Sequence, residues 1–94
     1  MKLRIPEDVL FRILGDEAVI LNLGTGVYFG LDDVGTRMWQ AISEHKSTER
    51  VVETITTEYE VDEQQCRRDL NQLILKLSEK GLVKADAEET APSQ

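Results

Sequence analysis

Cys66 and His45 are the only cysteine and the only histidine of the chain, so the residue types that most often do chemistry are nearly absent. One of each cannot complete a structural zinc site, which takes four ligands, and no internal disulfide can form. A nucleophile–base pair would have to use His45, in the polar stretch EHKST, with no partner to hold its ring. Cys66 falls on the apolar side of an expected helix, where a free cysteine is ordinarily a small buried hydrophobe. Glu58, Glu60, Asp62 and Glu63 have the composition of an acid pair or a metal cluster. They straddle a helix end, a turn and a helix start, where Asp62 serves better as an N-cap and the acids favour the helix dipole. Gly24-x-Gly26-x-x-x-Gly30 fails the dinucleotide fingerprint, and no Lys or Ser/Thr follows in phosphate-loop spacing. These residues predict no enzyme, no metal and no cofactor, and turn attention to binding.

The elements that would position a binding surface follow from the hydrophobic period. Val9 to Leu14 and Glu17 to Leu23 are strand-like runs separated by Gly15-Asp16, the spacing of a tight hairpin. Val19, Leu21 and Leu23 share one face of the second run. Gly24-Thr25-Gly26 then turns into VYFGL, Val27 to Leu31, giving a three-stranded antiparallel meander. From there the period changes to that of helices. Asp32 or Asp33 caps a helix carrying Val34, Met38, Trp39 and Ile42. Ser47 or Thr48 caps a second with Val51, Val52, Ile55 and Tyr59. Asp62 and Gln65 have capping-box spacing and open a third with the stripe Cys66, Leu70, Leu73, Ile74 and Leu77, stopped by Gly81. Leu82 and Val83 tuck back as a short strand or a staple. Strands followed by helices with short links describe an α+β, winged-helix-like domain over residues 1–85. The acidic stretch 86–94, without apolar periodicity, is expected to be disordered.

Among 94 residues the net charge is −7. It is unevenly spread. Glu44 to Glu63 carries seven acids and two bases, whereas Gln64 to Ala85 carries five bases and two acids. A winged helix also raises a DNA-binding regulator as the alternative, with Arg67 and Arg68 on the third helix. That reading needs a basic phosphate-facing surface, and the chain stays negative without its tail. No apolar run reaches membrane-helix length, and MKLRIPEDVLF lacks the apolar core of a secretory signal. The expectation is a cytoplasmic protein that contacts neither membrane nor nucleic acid.

The run Leu21 to Gly35 with Met38-Trp39, then EYEVD (Glu58 to Asp62), Asp69-Leu70 and KGLV (Lys80 to Val83), resembles the PqqD-like family. These are precursor-peptide recognition domains of pathways making ribosomally synthesised, post-translationally modified peptides. The resemblance implies a winged helix of three strands and three helices that is not catalytic. It implies capture of a precursor's leader peptide as a strand added to the third strand of the sheet, beside the third helix. It further implies presentation of that leader to a modifying enzyme such as a radical SAM protein, a cyclase or a leader peptidase. Members devoted to pyrroloquinoline quinone synthesis usually carry a Pro-Glu pair after the second strand and an Asp-Gly before the second helix. This chain has LNLGTGVYFGLDDVG and EHKST there, and is more similar to the stand-alone recognition proteins of lasso-peptide pathways.

An edge strand offers unpaired N–H and C=O groups to an extended peptide. The expected edge is Val27, Tyr28, Phe29 and Gly30, where Gly30 permits close backbone approach. Alternation puts Val27, Phe29 and Leu31 towards the core and Tyr28 outwards as a groove wall. On the third helix, a wheel centred on Cys66, Leu70, Leu73 and Leu77 puts Arg67, Asn71 and Ser78 on one flank and Ile74 at its inner border. Leu75 lies almost opposite the stripe. Tyr28, Ile74 and Leu75 are the expected apolar contacts, with Arg67 and Arg68 steering an acidic leader.

Overall fold

The computed structural model describes residues 1–86; of the expected disordered tail, 86–94, Asp86 is instead the last residue of a strand paired with Lys2, and the rest lies outside the described residues. The elements are β1 (Lys2–Arg4), β2 (Val9–Leu14), β3 (Glu17–Asn22), β4 (Tyr28–Leu31), α1 (Asp33–His45), α2 (Thr48–Glu58), α3 (Glu63–Glu79) and β5 (Lys84–Asp86). The expected meander is the three-stranded sheet β2-β3-β4, antiparallel throughout and followed by three helices. The first turn has positive φ only at Gly15, +68°, the pattern of a II′ hairpin turn.

One face of this sheet packs on the helices. Register sets Phe11 opposite Ile20 and Ile20 opposite Phe29, so Val9, Ile20 and Leu31 belong to the buried face. In β3 the buried residues are Ala18, Ile20 and Asn22. The Val19, Leu21 and Leu23 set occupies the other face, where Val19 and Leu23 are exposed. EAVILNL is apolar almost without interruption, so a period of two could not choose its inner face; pairing register does. Trp39 of α1 is fully buried, and Phe11 meets it edge-on with ring centroids 5.4 Å apart.

The helix starts are fixed by their caps. Asp32 accepts from the Gly35 N–H at 2.8 Å, Ser47 from Arg50 at 3.4 Å and Asp62 from Gln65 at 3.1 Å. The expected Asp62–Gln65 box is only half formed, because the Gln65 amide reaches forward to Asp69 and Arg68. Gly81, at φ +72°, ends α3 in the left-handed conformation that glycine accepts readily. Leu82 and Val83 are buried behind it and lead into β5.

β1 is unexpected: a three-residue strand followed by Ile5 and Pro6, too short to carry a hydrophobic period. It pairs antiparallel with β5, Leu3 opposite Ala85. Its other flank is held by Leu3 N–H to the Lys46 carbonyl (2.9 Å) and Thr48 N–H to the Met1 carbonyl (3.0 Å). Leu3 is buried, so this strand earns its place by inserting one side chain beneath the α1–α2 junction.

Candidate functional site

Among the described residues β4 is an edge strand, and its outward backbone groups can be counted. The Asn22 N–H donates to the Val27 carbonyl at 2.9 Å. Antiparallel hydrogen-bonded pairs recur every second residue, so Phe29 and Leu31 turn their backbone groups towards β3. The N–H and C=O of Tyr28 and Gly30 therefore point away from the sheet, along an unpaired edge.

That edge borders a groove of about 460 Å³ between β4 and α3, whose lining includes Phe29, Gly30 and Leu31 on one side and Gln72, Leu73 and Lys76 on the other. Asp32, Val34, Gly35 and Met38 close one end together with Asp69. The two walls run antiparallel. Asn22 Nδ2 donates to the Gly81 carbonyl at 2.8 Å, which anchors the C-terminus of α3 beside the start of β4. The same Asn22 accepts from the Gly24 and Thr25 N–H groups through Oδ1, so one buried amide shapes the β3–β4 turn and sets the distance to α3.

Of the expected site residues, Phe29 and Gly30 line this groove. Tyr28 is 70% exposed and shares the open sheet face with Val19 and Leu21, away from the groove. Val27 is half-buried just before β4. None of Arg67, Arg68, Asn71, Ile74, Leu75 and Ser78 lines it. Ile74 is 5% exposed and belongs to the core, while Leu73 is only partly buried. The buried stripe is thus centred on Cys66, Leu70, Ile74 and Leu77, which makes Leu73 its border on the sheet side. Asp69, Gln72 and Lys76 continue that border. Arg67 lies on the opposite flank, over α2, in a polar hollow with Glu49, Glu53 and Glu63. It donates to Glu63 at 2.9 and 3.1 Å.

A wheel drawn from sequence gives the stripe but not which flank meets the sheet and which meets α2. The available signal was Leu73 itself, an extra apolar residue on one side of a stripe already complete without it.

Three of the four acids considered as a chemical cluster, Glu58, Asp62 and Glu63, have structural duties. Glu58 takes a two-pronged contact from Arg37, one arm at 2.7 Å, joining α1 to the end of α2. The contact holds the Glu58 carboxyl below its ordinary range and lifts the Arg37 guanidinium above its own. Asp62 is the cap described above. Among the described residues no three His, Cys, Asp or Glu side chains are placed to hold a metal ion. Burial pushes the Cys66 thiol up, away from thiolate reactivity. No helix among the described residues is long and apolar enough to cross a membrane.

Comparison with known proteins adds three matches. The family model described as coenzyme PQQ synthesis protein D (PqqD) matches residues 17–83. No curated protein matches the chain. A solved structure titled "TbiB1 in Complex with the TbiA(beta) Leader Peptide" is 42% identical, with a TM-score of 0.81, covering 92% of this chain and 100% of that one. A second, "Lasso peptide synthetase B1 complexed with the leader peptide", is 25% identical with a TM-score of 0.78, covering 90% and 100%.

Proposed function

The chain belongs to the PqqD family, and on that premise we propose that it is a non-catalytic recognition protein that captures the leader segment of a ribosomally made precursor peptide. The observation that carries this reading is the β4 edge. Two residues, Tyr28 and Gly30, offer outward backbone donors and acceptors directly beside a groove with an apolar floor. An extended peptide satisfies such an edge by adding a strand, while Phe29, Leu73 and Met38 take apolar side chains on the side facing α3. Both solved relatives were captured with a leader peptide, which supports the same assignment here. In this reading the contacts on α3 are Asp69, Gln72, Leu73 and Lys76 in place of the Arg67–Leu75 flank. The captured leader is delivered, in the cytoplasm, to a modifying enzyme such as a cyclase, a radical SAM protein or a leader peptidase. DNA binding has little to stand on: Arg67 is committed to Glu63 and Arg68 to the Gln65 side-chain Oε1.

The test uses two leucines on opposite sides of α3 and a fluorescein-labelled TbiA(β) leader, read by anisotropy at about 150 mM salt, where non-specific charge attraction is screened. Leu73→Glu is expected to weaken binding by about tenfold or more, as loss of a central apolar contact does. Leu75→Glu, at 60% exposure on the far side, is expected to leave it within about twofold, as surface substitutions usually do. The reverse ranking would move the site to the Arg67 flank.

A further inference from the structure

The groove is not uniform in charge along its length. Because α3 runs antiparallel to β4, the Phe29 end meets the C-terminal turns of the helix and the Asp32 end meets its earlier turns. At the Phe29 end, Lys80 Nζ lies 5.8 Å from the Phe29 ring centroid, a cation–π position that holds it along the wall. Lys76 lines the groove one turn earlier and forms no ion pair among the described residues. At the Asp32 end the groove is lined by Asp32 and Asp69. Among the described residues the only side-chain hydrogen-bond partner of Asp69 is the neutral Gln65 amide, at 2.9 Å. The N-terminus of α1 opposes them with about half a positive charge, which two carboxylates exceed.

We infer that this groove selects the leader by the direction of charge along it, taking an acidic side chain at the Phe29 end and a basic one at the Asp32 end. The inference rests on the peptide-capture reading above and adds a sequence requirement to it. Seven residues separate Asp69 from Lys76 and eleven separate it from Lys80, about 10 and 16 Å along the helix. The midpoint, about 13 Å, is four residues of extended chain at roughly 3.3 Å each. Four is an even number, so both charged side chains project to the same side of the added strand, towards α3. The pattern the groove fits is therefore an acid and a base four residues apart, with one apolar residue midway between them on the same side, against Phe29 and Leu73.

The probe is the labelled TbiA(β) leader peptide and derivatives of it. In each derivative two positions four residues apart carry Glu then Lys, or Lys then Glu, and the pair is walked through the strand-forming segment one residue at a time. Net charge is the same within every pair of derivatives, so only the order differs. In at least one register, one order is expected to bind about tenfold more tightly at low salt, as two exposed pairs switch from attraction to repulsion, and the gap should shrink at high salt. In the full-length Asp69→Lys/Lys76→Glu variant, whose exchanged residues are exposed, the preference should vanish or invert. Equal binding of the two orders in every register, with the parent peptide bound normally, overturns the inference and leaves peptide capture standing. A preference that persists unchanged in the exchanged variant overturns it as well. If the parent peptide itself does not bind the folded protein, peptide capture fails and the charge rule falls with it.

Discussion

Glu49 shows how much a single exposed side chain can record about its neighbourhood. Its carboxylate accepts from the Met1 amino group through both oxygens, each at 2.8 Å, and that contact lowers its pKa from 4.5 to about 2. A carboxylate depressed in the folded state adds stability above its unfolded value, and loses that contribution as the pH falls through the folded one. The acid limb of stability between pH 4.5 and about 2 should therefore be shallower in Glu49→Gln, measured by urea unfolding across that window. With both groups exposed the difference at neutral pH stays below about 1 kcal/mol. The residue scale is also where reading from sequence stopped short. Tyr28 pointing outward was legible from alternation along VYFGL. That outward meant the open sheet face, with Phe29 instead lining the groove, was not, because it depends on where α3 lies beside the edge.

At the scale of elements, β4 has to pair with β3 on one side and stay open on the other. Gly30 sits where these demands separate. Its backbone groups face outward, and a Cβ added there would meet nothing within 4 Å. Gly30→Pro removes one outward donor while the bonds of Phe29 and Leu31 to β3 remain. Leader affinity should drop by about fivefold to tenfold, the worth of one hydrogen bond, with an unchanged far-UV circular dichroism spectrum. Loss of the spectrum would mean that the strand itself depends on glycine there. The helices and the meander were legible because each carries its own punctuation: Gly15 at the hairpin, aspartate and serine at the caps, Gly81 at the stop. β1 was not. A three-residue strand has no period to read, and its place exists only once the helices have brought residue 46 to one flank of it and residue 84 to the other.

For the whole molecule, β1 acts as a clasp. It lies between β5 and the α1–α2 junction, so it ties the first residues of the described chain to the last. Leu3 is the only side chain of that strand in the core. Leu3→Ala should destabilise the fold by about 2–3 kcal/mol, measured as a lower urea midpoint with little change in slope. Leader affinity should change little, since no residue of the clasp lines the β4–α3 groove. Parallel loss of stability and affinity would instead mean that the groove's geometry is set from the clasp.

The buried Trp39 has an optical consequence. It is the chain's only tryptophan, fully enclosed, with an indole nitrogen that has no hydrogen-bond partner among the described residues and Phe11 against its edge. An indole so shielded emits at short wavelength, and its emission moves to the red once water reaches it. Because Phe11 belongs to β2 and Trp39 to α1, that single chromophore watches the seam between sheet and helices. Every variant discussed above thus carries an intrinsic gauge of whether the two layers still meet, readable from the protein without a label.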